Sequence, residues 1–487
     1  MCPSTADGLL LLASILGLRG LVAGGEVLHR WGVSPAWTRR LVHVGVCLTV
    51  AATPLLFSGP GPVYLLAGVF VVLNGTAYAL DSWPSLHAAR PTSWGTVALP
   101  LAVLPAVAAT WSVSPDRVVA VQAAFLVLGV ADPVASWVGN EFGGRWLTAT
   151  ATVRGTVAFG GAAGLVVALV LVAVGEPPAA ALFVAGITGG VAAVVEALSR
   201  WGWDNLFVVL GVLGVLVPLR AGTVSPLDLG GALAAGIGFW GLTYRAGVLD
   251  GPGAAGGGLL AASLVGVGGV GWVGPALAFF VPSAALSRLP SPSGATADPS
   301  RRTLRQVLAN GAVAWGCLLA AALLPPGALA ERAACYAGFG GALAAAAADT
   351  WATEIGIRYA GRPYSLRHLG RVARGTSGAV TFGGTVAALG GAATVAAGAG
   401  ATIPPAFGAP SSVWAIGGAG LAGMGLDSLA GATIQARYRA AGRGEPPEYP
   451  STPGERPVQG WAAVDNDAVN LLGTLGGAAV SACFWAL

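Results

Sequence analysis

The sequence contains no lysine, so all 25 of its Lys and Arg positions are arginine. This excludes a P-loop, whose lysine reaches the nucleotide phosphates, and leaves arginine, helix N-termini or a metal ion to hold any phosphate. The five cysteines stand singly without a C-x-x-C pair, so we predict neither a disulfide framework nor a zinc site. The net charge is only +4, and no dense basic stripe with interleaved aromatic residues occurs, so nucleic acid is not an expected partner.

Charged residues are also scarce, at 9% of the chain, whereas soluble domains have about 25%. Apolar residues make up 55%, and the mean hydropathy is +0.73. These values predict an integral membrane protein, in the plasma (inner) membrane if the source is bacterial. Its partners are then the lipid bilayer and the ligand of its few polar residues.

Sixteen apolar runs each have roughly the 17 to 25 residues that a spanning helix needs. They are continuous rather than alternating and rich in Gly and Ala, which favours closely packed helices over strands. We therefore predict an all-α polytopic membrane protein with about 14 to 16 spanning helices. The runs are 8–28, 41–57, 62–80, 94–111, 118–139, 155–175, 179–199, 205–220, 226–244, 255–271, 273–289, 306–324, 333–357, 376–399, 412–436 and 467–487.

Two stretches, 131–161 and 348–384, break the apolar pattern with similar polar residues in the same order. Matches of Gly and Ala mean little in so Gly-rich a chain, but a recurring Asp, Arg and Arg-Gly-Thr are informative. We predict two related halves, 1–225 and 226–487, with the boundary between 221 and 300. The coinciding polar residues, the last three after a three-residue shift, are Asp132/Asp349, Arg145/Arg362, Arg154/Arg374, Gly155/Gly375 and Thr156/Thr376.

Ionisable residues of the first half lie at the edges of predicted helices. Arg40 stands just before a helix, where it either fixes orientation or binds an anion, and His43 lies about one turn inside. The partner of His43 is a phosphate, a carboxylate or a backbone carbonyl. Asp132 falls late in a span, and a charge near the bilayer centre costs about 2.5 to 3.5 kcal/mol, so we treat it as functional. The alternative is a structural ion pair of Asp132 with Arg145 or Arg154.

Helix starts are a second recurring feature of the sequence. Arg154-Gly155-Thr156 opens a predicted helix, whose free N–H groups and dipole favour an anion. Asp204-Asn205 and Asp465-Asn466 each precede an apolar run, as helix caps or as metal ligands. Glu196 lies shortly before the first of these pairs.

The polar stretch of the second half carries two carboxylates, Asp349 and Glu354, followed by five arginines between Arg358 and Arg374. So many positive charges in one loop predict a cytoplasmic position. Orientation alone does not explain Gly375-Thr376-Ser377-Gly378, which we expect at a helix start. A further carboxylate, Asp427, lies on a late span.

These residue types suit one kind of ligand. Carboxylates at a membrane edge, an Arg-rich loop and Gly-Thr helix starts fit a polyphosphate carried by Mg²⁺, which binds one or two carboxylates together with phosphate oxygens. Phosphoryl transfer requires mainly positioning and charge neutralisation. The acceptor at such a site is amphipathic, as a lipid alcohol or a lipid phosphate is.

The first half resembles the phytol kinase and dolichol kinase family in Arg39-Arg40-x-x-His43, in the segment from Asp132 to Arg145, and in Glu196-Ala-Leu-Ser-x-x-Gly-x-Asp204-Asn205. The second half resembles the phytyl-phosphate kinase family of membrane proteins, and this resemblance is the stronger. The matching segments of the second half are Arg305-Gln306-Val-Leu-Ala-Asn310, Asp349-Thr-Trp-Ala-Thr-Glu354-Ile-Gly356, Gly375-Thr-Ser-Gly378, Asp427-Ser-Leu-x-Gly-Ala-Thr-x-Gln435 and Val464-Asp-Asn-Asp467-Ala-Val-Asn470.

Together the resemblances imply a fusion that phosphorylates a prenyl alcohol to its monophosphate and then to its diphosphate, with CTP as donor, Mg²⁺ as cofactor and sites facing the cytoplasm. The expected catalytic residues are His43, Glu196, Asp132, Asp349 and Glu354. The expected nucleotide or phosphate contacts are Arg40, Arg145, Arg154, Gly155, Thr156, Arg362, Arg374, Gly375, Thr376, Ser377 and Gly378. The expected metal ligands are Asp132, Asp204, Asn205, Asp349, Asp427, Asp465, Asn466 and Asp467.

One position departs from the first family, which has a lysine where this chain has Ala151. Either Arg154 takes over that phosphate contact, or the first half binds nucleotide weakly.

The chemistry of the two steps also differs. An attacking alcohol must lose a proton whereas a prenyl phosphate is already anionic, so only the first half needs a general base, for which His43 and Glu196 are candidates. Two other functions remain open: a secondary transporter with duplicated halves, and a cytidylyltransferase that forms a CDP-lipid.

Overall fold

The computed structural model describes residues 5–80, 93–148, 150–289, 301–359, 363–365, 367, 370–372, 378–408, 413–438 and 455–486. These residues form two compact units, Met1–Gly230 and Gly231–Leu487. The assignment of a separate activity to each half stays a prediction.

The first unit is a bundle of α-helices. Several of its helices end at a glycine with positive φ, including Gly32 after the first helix and Gly175 after the sixth, where residues with a Cβ are strained. The helices are α1 (Thr5–Arg30), α2 (Pro35–Leu56), α3 (Gly61–Ala79), α4 (Gly95–Ala109), α5 (Val118–Phe142), α6 (Val153–Ala173), α7 (Pro178–Leu198), α8 (Asp204–Arg220) and α9 (Pro226–Arg245), the last of which crosses into the second unit.

The second unit is also helical, with one short antiparallel pair of strands between two of its helices. A capping box formed by Thr303 and Gln306 starts its third complete helix. The elements are α10 (Gly251–Ser263), α11 (Val270–Leu286), α12 (Leu304–Leu323), α13 (Leu329–Tyr359), β1 (Tyr364–Ser365), β2 (Ala379–Val380), α14 (Phe382–Thr402), α15 (Val413–Thr433) and α16 (Asn466–Ala486).

The sixteen helices in the described part of the chain correspond one to one with the sixteen apolar runs, which confirms the prediction of an all-α membrane protein. Eleven helical segments of the described residues are long and apolar enough to cross a membrane, and two shorter helices, α4 and α11, are also apolar. Continuous apolar runs therefore sufficed to find the helices.

A central helix organises each unit. In the first, α5 packs against α2, α6 and α8; in the second, α13 packs against α12, α14, α15 and α16. Asp132 lies on α5 and Asp349 on α13, so the principal acidic residue of each unit is on the helix that packs against several others.

Small residues bring the central helix of the first unit against its successor. The Thr152 hydroxyl accepts a hydrogen bond from the Gly155 N–H at 3.1 Å and caps α6. A Cβ on Gly155 would lie 3.1 Å from the Ala135 carbonyl oxygen and 3.6 Å from the Cα of Gly139, so α5 and α6 touch backbone to backbone.

The second unit repeats this arrangement between α13 and α14. Thr381 caps α14 by accepting from the Gly384 N–H at 3.0 Å, and a Cβ on Gly384 would lie 3.2 Å from the Ala352 carbonyl oxygen. Gly356 lies at the same contact, because a Cβ added to it would lie 3.6 Å from the Cα of Gly384. The common origin of the two units stays a prediction.

This geometry corrects one expectation. The helix expected to start near residue 376 begins only at Phe382, because Gly378 lies in a turn and is followed by β2. The described counterpart of Gly155 at a capped helix start is Gly384, whereas Gly375 lies outside the described residues. The apolar residues before Phe382 extended the apparent run and misplaced its start.

Candidate functional site

His43 of α2 faces the carboxylate of α5. Its Nε2 lies 3.8 Å from Asp132 Oδ2, 3.3 Å from the Leu128 carbonyl oxygen and 3.7 Å from the Cys47 sulfur. Both oxygens are hydrogen-bond acceptors, so we assign the proton of the neutral ring to Nε2, which makes Nδ1 the basic nitrogen. The histidine and the aspartate, which are 89 positions apart in sequence, thus form one pair.

Arg40 joins the same two helices one turn away from that pair. Its guanidinium donates to the Ser136 hydroxyl at 2.6 Å and stacks on Trp37, with 5.2 Å from Cζ to the ring centroid. Because Ser136 follows Asp132 by four residues, both lie on the face of α5 that meets α2. A positive group, a carboxylate and an imidazole therefore lie along one helix interface.

A cavity lies among α1, α2, α3, α4 and the start of α8, and His43 is part of its wall. It contains about 890 Å³ of empty space, including space open to the surroundings. Its polar lining residues are Arg39, His43, Asn74, Thr96 and Asn205, together with Thr53 on the far side. The rest of the lining is Leu18, Val22, Val42, Val46, Val50, Val63, Leu66, Ala67, Phe70, Gly95, Leu99, Pro100 and Val103.

Hydrogen bonds across helices hold the polar end of this cavity. Arg39 donates to the Ser93 hydroxyl at 3.0 Å, Asn74 donates to the Thr96 carbonyl at 2.6 Å, and buried Asn205 donates to the Gly95 carbonyl at 2.8 Å. The amide of Asn205 thus fixes α4 against the start of α8. A metal role for Asn205 and for its neighbour Asp204 stays a prediction.

The start of α6 is already partly occupied by protein groups. Arg154 is exposed and donates a hydrogen bond to the Phe142 carbonyl. The Thr152 hydroxyl accepts a hydrogen bond from the Gly155 N–H. The Thr156 hydroxyl is buried and has no hydrogen-bond partner among the described residues. Arg145 is exposed in the preceding loop. The described residues contain no ion pair between Asp132 and either arginine, whereas Asp132 does lie near His43.

Glu196, the second candidate base, does not line the cavity that holds His43. It is half-buried near the end of α7, and its backbone carbonyl accepts from the Ser199 N–H at 3.0 Å. The geometry therefore favours His43 over Glu196 as the base.

The second unit has a smaller polar cavity where α12, α13, α15 and α16 meet, with about 170 Å³ of empty space, including space open to the surroundings. Asp349 and Asp427 both line it, although they are far apart in sequence. Asp427 Oδ2 is buried and has no hydrogen-bond partner among the described residues. The remaining lining residues are Asn310, Ala345, Ala346, Gly423, Asn470, Gly473 and Thr474.

The start of α16 brings two other predicted ligands onto an arginine. Arg305 forms ion pairs with Asp465 and with Asp467, the latter with 2.8 Å between Nε and Oδ2. Asp465 also caps α16 by accepting from the Ala468 N–H at 3.0 Å, and Asn466 is the first residue of that helix. These contacts join the starts of α12 and α16, and the metal role of these residues stays a prediction.

Glu354 lies beyond Asp349 along α13 and forms an ion pair with Arg358, with 2.8 Å between Oε2 and Nη1. It also lies near Arg302: burial lowers the pKa of the Arg302 guanidinium, and the negative charge of Glu354 opposes that shift. The carboxylate is thus placed between two arginines.

Five predicted phosphate contacts lie outside the described residues: Arg362, Arg374, Gly375, Thr376 and Ser377. The next residue, Gly378, has φ +69° and packs on α15, where a Cβ would overlap the Ser428 carbonyl and Ala432. Only glycine fits there, and the carbonyl that it approaches belongs to Ser428, which follows Asp427 in sequence.

Several polar residues of the two cavities were not among the predicted site residues. Asn310 and Asn470 belong to segments that carry the family resemblance, which was the available signal. Asn74, Thr96 and Thr474 are isolated polar residues in apolar helices, and only the packing shows which cavity they line.

The fold, with one partly open cavity described in each unit, defines a polytopic helical membrane protein. Residues 234–478 match the family described as integral membrane protein DUF92, and the chain belongs to that family. The phytol kinase of Synechocystis sp. is 32% identical over 206 residues, which are 41% of this chain and 86% of that protein. No solved structure matches the chain.

Proposed function

We propose that the protein is a membrane-embedded isoprenoid kinase that phosphorylates a prenyl alcohol in its first unit and the resulting monophosphate in its second. The similarity to phytol kinase supports the first step. The proposed donor is a nucleoside triphosphate from the cytosol, with CTP the nucleotide that the resemblance implies. The observation that carries the proposal is the position of His43, in the wall of an apolar cavity and beside Asp132.

The first step follows from this position. An alcohol whose oxygen lies at the polar end of the cavity gives its hydroxyl proton to His43 Nδ1 as the oxygen attacks the γ-phosphorus of the nucleotide. The bond from that phosphorus to the bridging oxygen breaks, and its electron pair leaves with the nucleoside diphosphate. Asp132 stabilises the imidazolium that forms, because its carboxylate is 3.8 Å from Nε2.

Among the described residues, no imidazole lines the cavity of the second unit. Apart from its two aspartates, the polar side chains that line the cavity are Asn310, Asn470 and Thr474, none of which is a base at neutral pH. A prenyl monophosphate already presents an anionic oxygen, so it needs no base. This cavity therefore suits the second phosphorylation rather than the first.

The residues present also fit Mg²⁺. The described residues contain no group of three or more His, Cys, Asp and Glu side chains that would hold a metal. Asp349 and Asp427 nevertheless offer carboxylate oxygens beside the amides of Asn310 and Asn470, and Asp427 Oδ2 has no protein partner among the described residues. Mg²⁺ prefers one or two such carboxylates together with phosphate oxygens. When bound, it neutralises charge on the transferred phosphoryl group.

The deciding experiment incubates membranes that contain the protein with γ-labelled or base-labelled CTP, Mg²⁺ and phytol or geranylgeraniol. We expect label from the γ-phosphate in prenyl monophosphate and diphosphate. Base label in a lipid product would instead identify a CDP-lipid-forming cytidylyltransferase. Membranes that give neither product, under conditions where a known prenol kinase is active, would contradict the proposal and favour a transporter.

A further inference from the structure

The cavity of the first unit is polar at one end only. Arg39 and His43 of α2 lie at this end, with Asn74 of α3 and Asn205 of α8. Thr53, at the other end of α2, donates a hydrogen bond from its hydroxyl to the Val50 carbonyl at 2.7 Å, so it has no donor left for a ligand in the cavity. Beyond the His43 end, a ligand meets an almost wholly apolar surface.

The cavity is also long. Its lining residues on α2 extend from Arg39 to Thr53, which is about 21 Å along the helix axis. Those on α3 extend from Asn74 back to Val63, or about 16 Å. The two helices are joined by a short connection after Leu56 and are antiparallel. Arg39 and Asn74 therefore lie at the polar end of the cavity, and Thr53 and Val63 lie at its apolar end.

Shape and polarity together select the ligand class. A polar solute in the apolar part would lose its hydrogen bonds to water without replacement, which disfavours its binding there. A long apolar chain with one hydroxyl at its end fits both parts, and it is the form of an isoprenoid alcohol.

We propose that this cavity holds the isoprenoid tail of the acceptor, with the hydroxyl at His43, and that the apolar walls around Leu66 and Phe70 set the chain length that the enzyme accepts. This inference rests on the proposed kinase function and adds the location and specificity of its acceptor site. Leu66 is two turns from Asn74 on α3, about 12 Å from the polar end, so it contacts the distal part of the tail.

Adjacent residues on α3 provide a matched pair of variants. Leu66 is 4% exposed and lines the cavity, whereas Leu65 is 56% exposed and does not line it. We expect Leu66→Trp to fill the distal cavity and to lower the ratio of kcat/KM for geranylgeraniol over geraniol by about tenfold or more. Leu65→Trp adds the same side chain on the other face and leaves that ratio unchanged.

A second variant changes the cavity in the opposite direction. Phe70→Ala removes a ring from the wall, and we expect it to raise activity on an alcohol of five isoprene units relative to geranylgeraniol. An independent binding measurement uses geranylgeraniol without nucleotide: it should raise the thermal unfolding midpoint of the wild type and of Leu65→Trp, and raise that of Leu66→Trp much less. Excess phospholipid serves as the competing apolar ligand.

The possible failures are distinct. Wild-type protein that forms no prenyl phosphate refutes the kinase function. An active wild type whose chain-length ratio is unchanged in both Leu66→Trp and Phe70→Ala, or shifts equally in Leu65→Trp, overturns the tail site. If Leu66→Trp does not fold, an unchanged preference in Phe70→Ala overturns it. Competition by phospholipid that abolishes stabilisation by geranylgeraniol would identify the cavity as a general lipid site and would also overturn it.

Discussion

At the scale of single residues, His43 lies where the apolar cavity of the first unit meets the polar contacts of α5. Its ring lines an apolar cavity and also contacts a carboxylate and a backbone carbonyl. A histidine with only a structural role would need the polar contacts to the carboxylate and the carbonyl, but it would not need to face the cavity. Under the proposed function, replacing His43 should impair activation of the alcohol and leave the second phosphorylation intact.

We expect His43→Gln to lower phosphorylation of a prenyl alcohol by about 10² to 10⁴-fold, the usual contribution of a general base. Phosphorylation of a supplied prenyl monophosphate should be unchanged, because that nucleophile is already ionised. The control is His29→Gln, which alters a histidine at the end of α1 that contacts the Val33 carbonyl. Equal loss of both activities in His43→Gln would contradict the assigned role.

Asp427 is the corresponding test residue of the second unit. We expect Asp427→Asn to slow diphosphate formation by about 10² to 10³-fold, because it removes a carboxylate oxygen that would bind Mg²⁺ together with Asp349. Monophosphate should then accumulate, as measured by chromatography of the labelled products over a range of Mg²⁺ concentrations. Asp228→Asn, at the exposed start of α9, is the control and should keep the wild-type product ratio. An unaltered ratio in Asp427→Asn would exclude Asp427 from the second step.

The sequence identified His43, Asp132, Asp349 and Asp427 individually, because ionisable groups are rare in apolar helices. It did not pair them. Whether His43 faces a phosphate, a carboxylate or a carbonyl depends on how α2 and α5 pack, and that packing is determined by small residues such as Gly129 against Cys47. Residue type predicted the chemistry, whereas tertiary contacts determined the partners.

At the scale of elements, the backbone contact between α5 and α6 positions Asp132 relative to the loop that follows it. Gly155 has no room for a side chain beside the Ala135 carbonyl, whereas Gly161, on the same helix, has nothing within 4 Å of its added Cβ. Alanine substitutions at the two glycines therefore distinguish the effect of close helix packing from the effect of helix propensity.

We expect Gly155→Ala to destabilise the protein by about 1 to 3 kcal/mol through overpacking. Gly161→Ala should be neutral or stabilising by up to about 1 kcal/mol, since alanine favours the helix. Thermal unfolding of the two purified variants in the same detergent compares them directly. A Gly155→Ala midpoint at or above that of Gly161→Ala would show that the helices do not need this contact.

Helix positions were predictable from hydropathy, but their starts were not. The start of α14 was expected near 376 because apolar residues precede Phe382, and the actual signal is Thr381, whose hydroxyl caps Gly384. A threonine three residues before a glycine is too common in this chain to be recognised without coordinates.

At the scale of the whole molecule, the two proposed sites need the same pool of nucleotide. The helices that carry Asp132 and Asp349 are α5 and α13, eight helices apart. If each intervening helix crosses the bilayer, an even number of crossings places both sites on one face.

We expect reporters inserted in loops 140–153 and 358–375 to report the same, cytoplasmic, side, as the arginines of the second loop also predict. Protease or thiol accessibility in sealed vesicles provides the readout, with a reporter at a known external loop of another protein as the control. Opposite sides for the two loops would exclude a single nucleotide pool.

Where Gly155 and Gly384 press against neighbouring carbonyls, two main chains meet with no side chain between them. The spacing there is fixed by peptide geometry, which no change of rotamer can adjust. Substitutions on the lipid-facing surface can thus alter the outline of each bundle while these two junctions keep their dimensions.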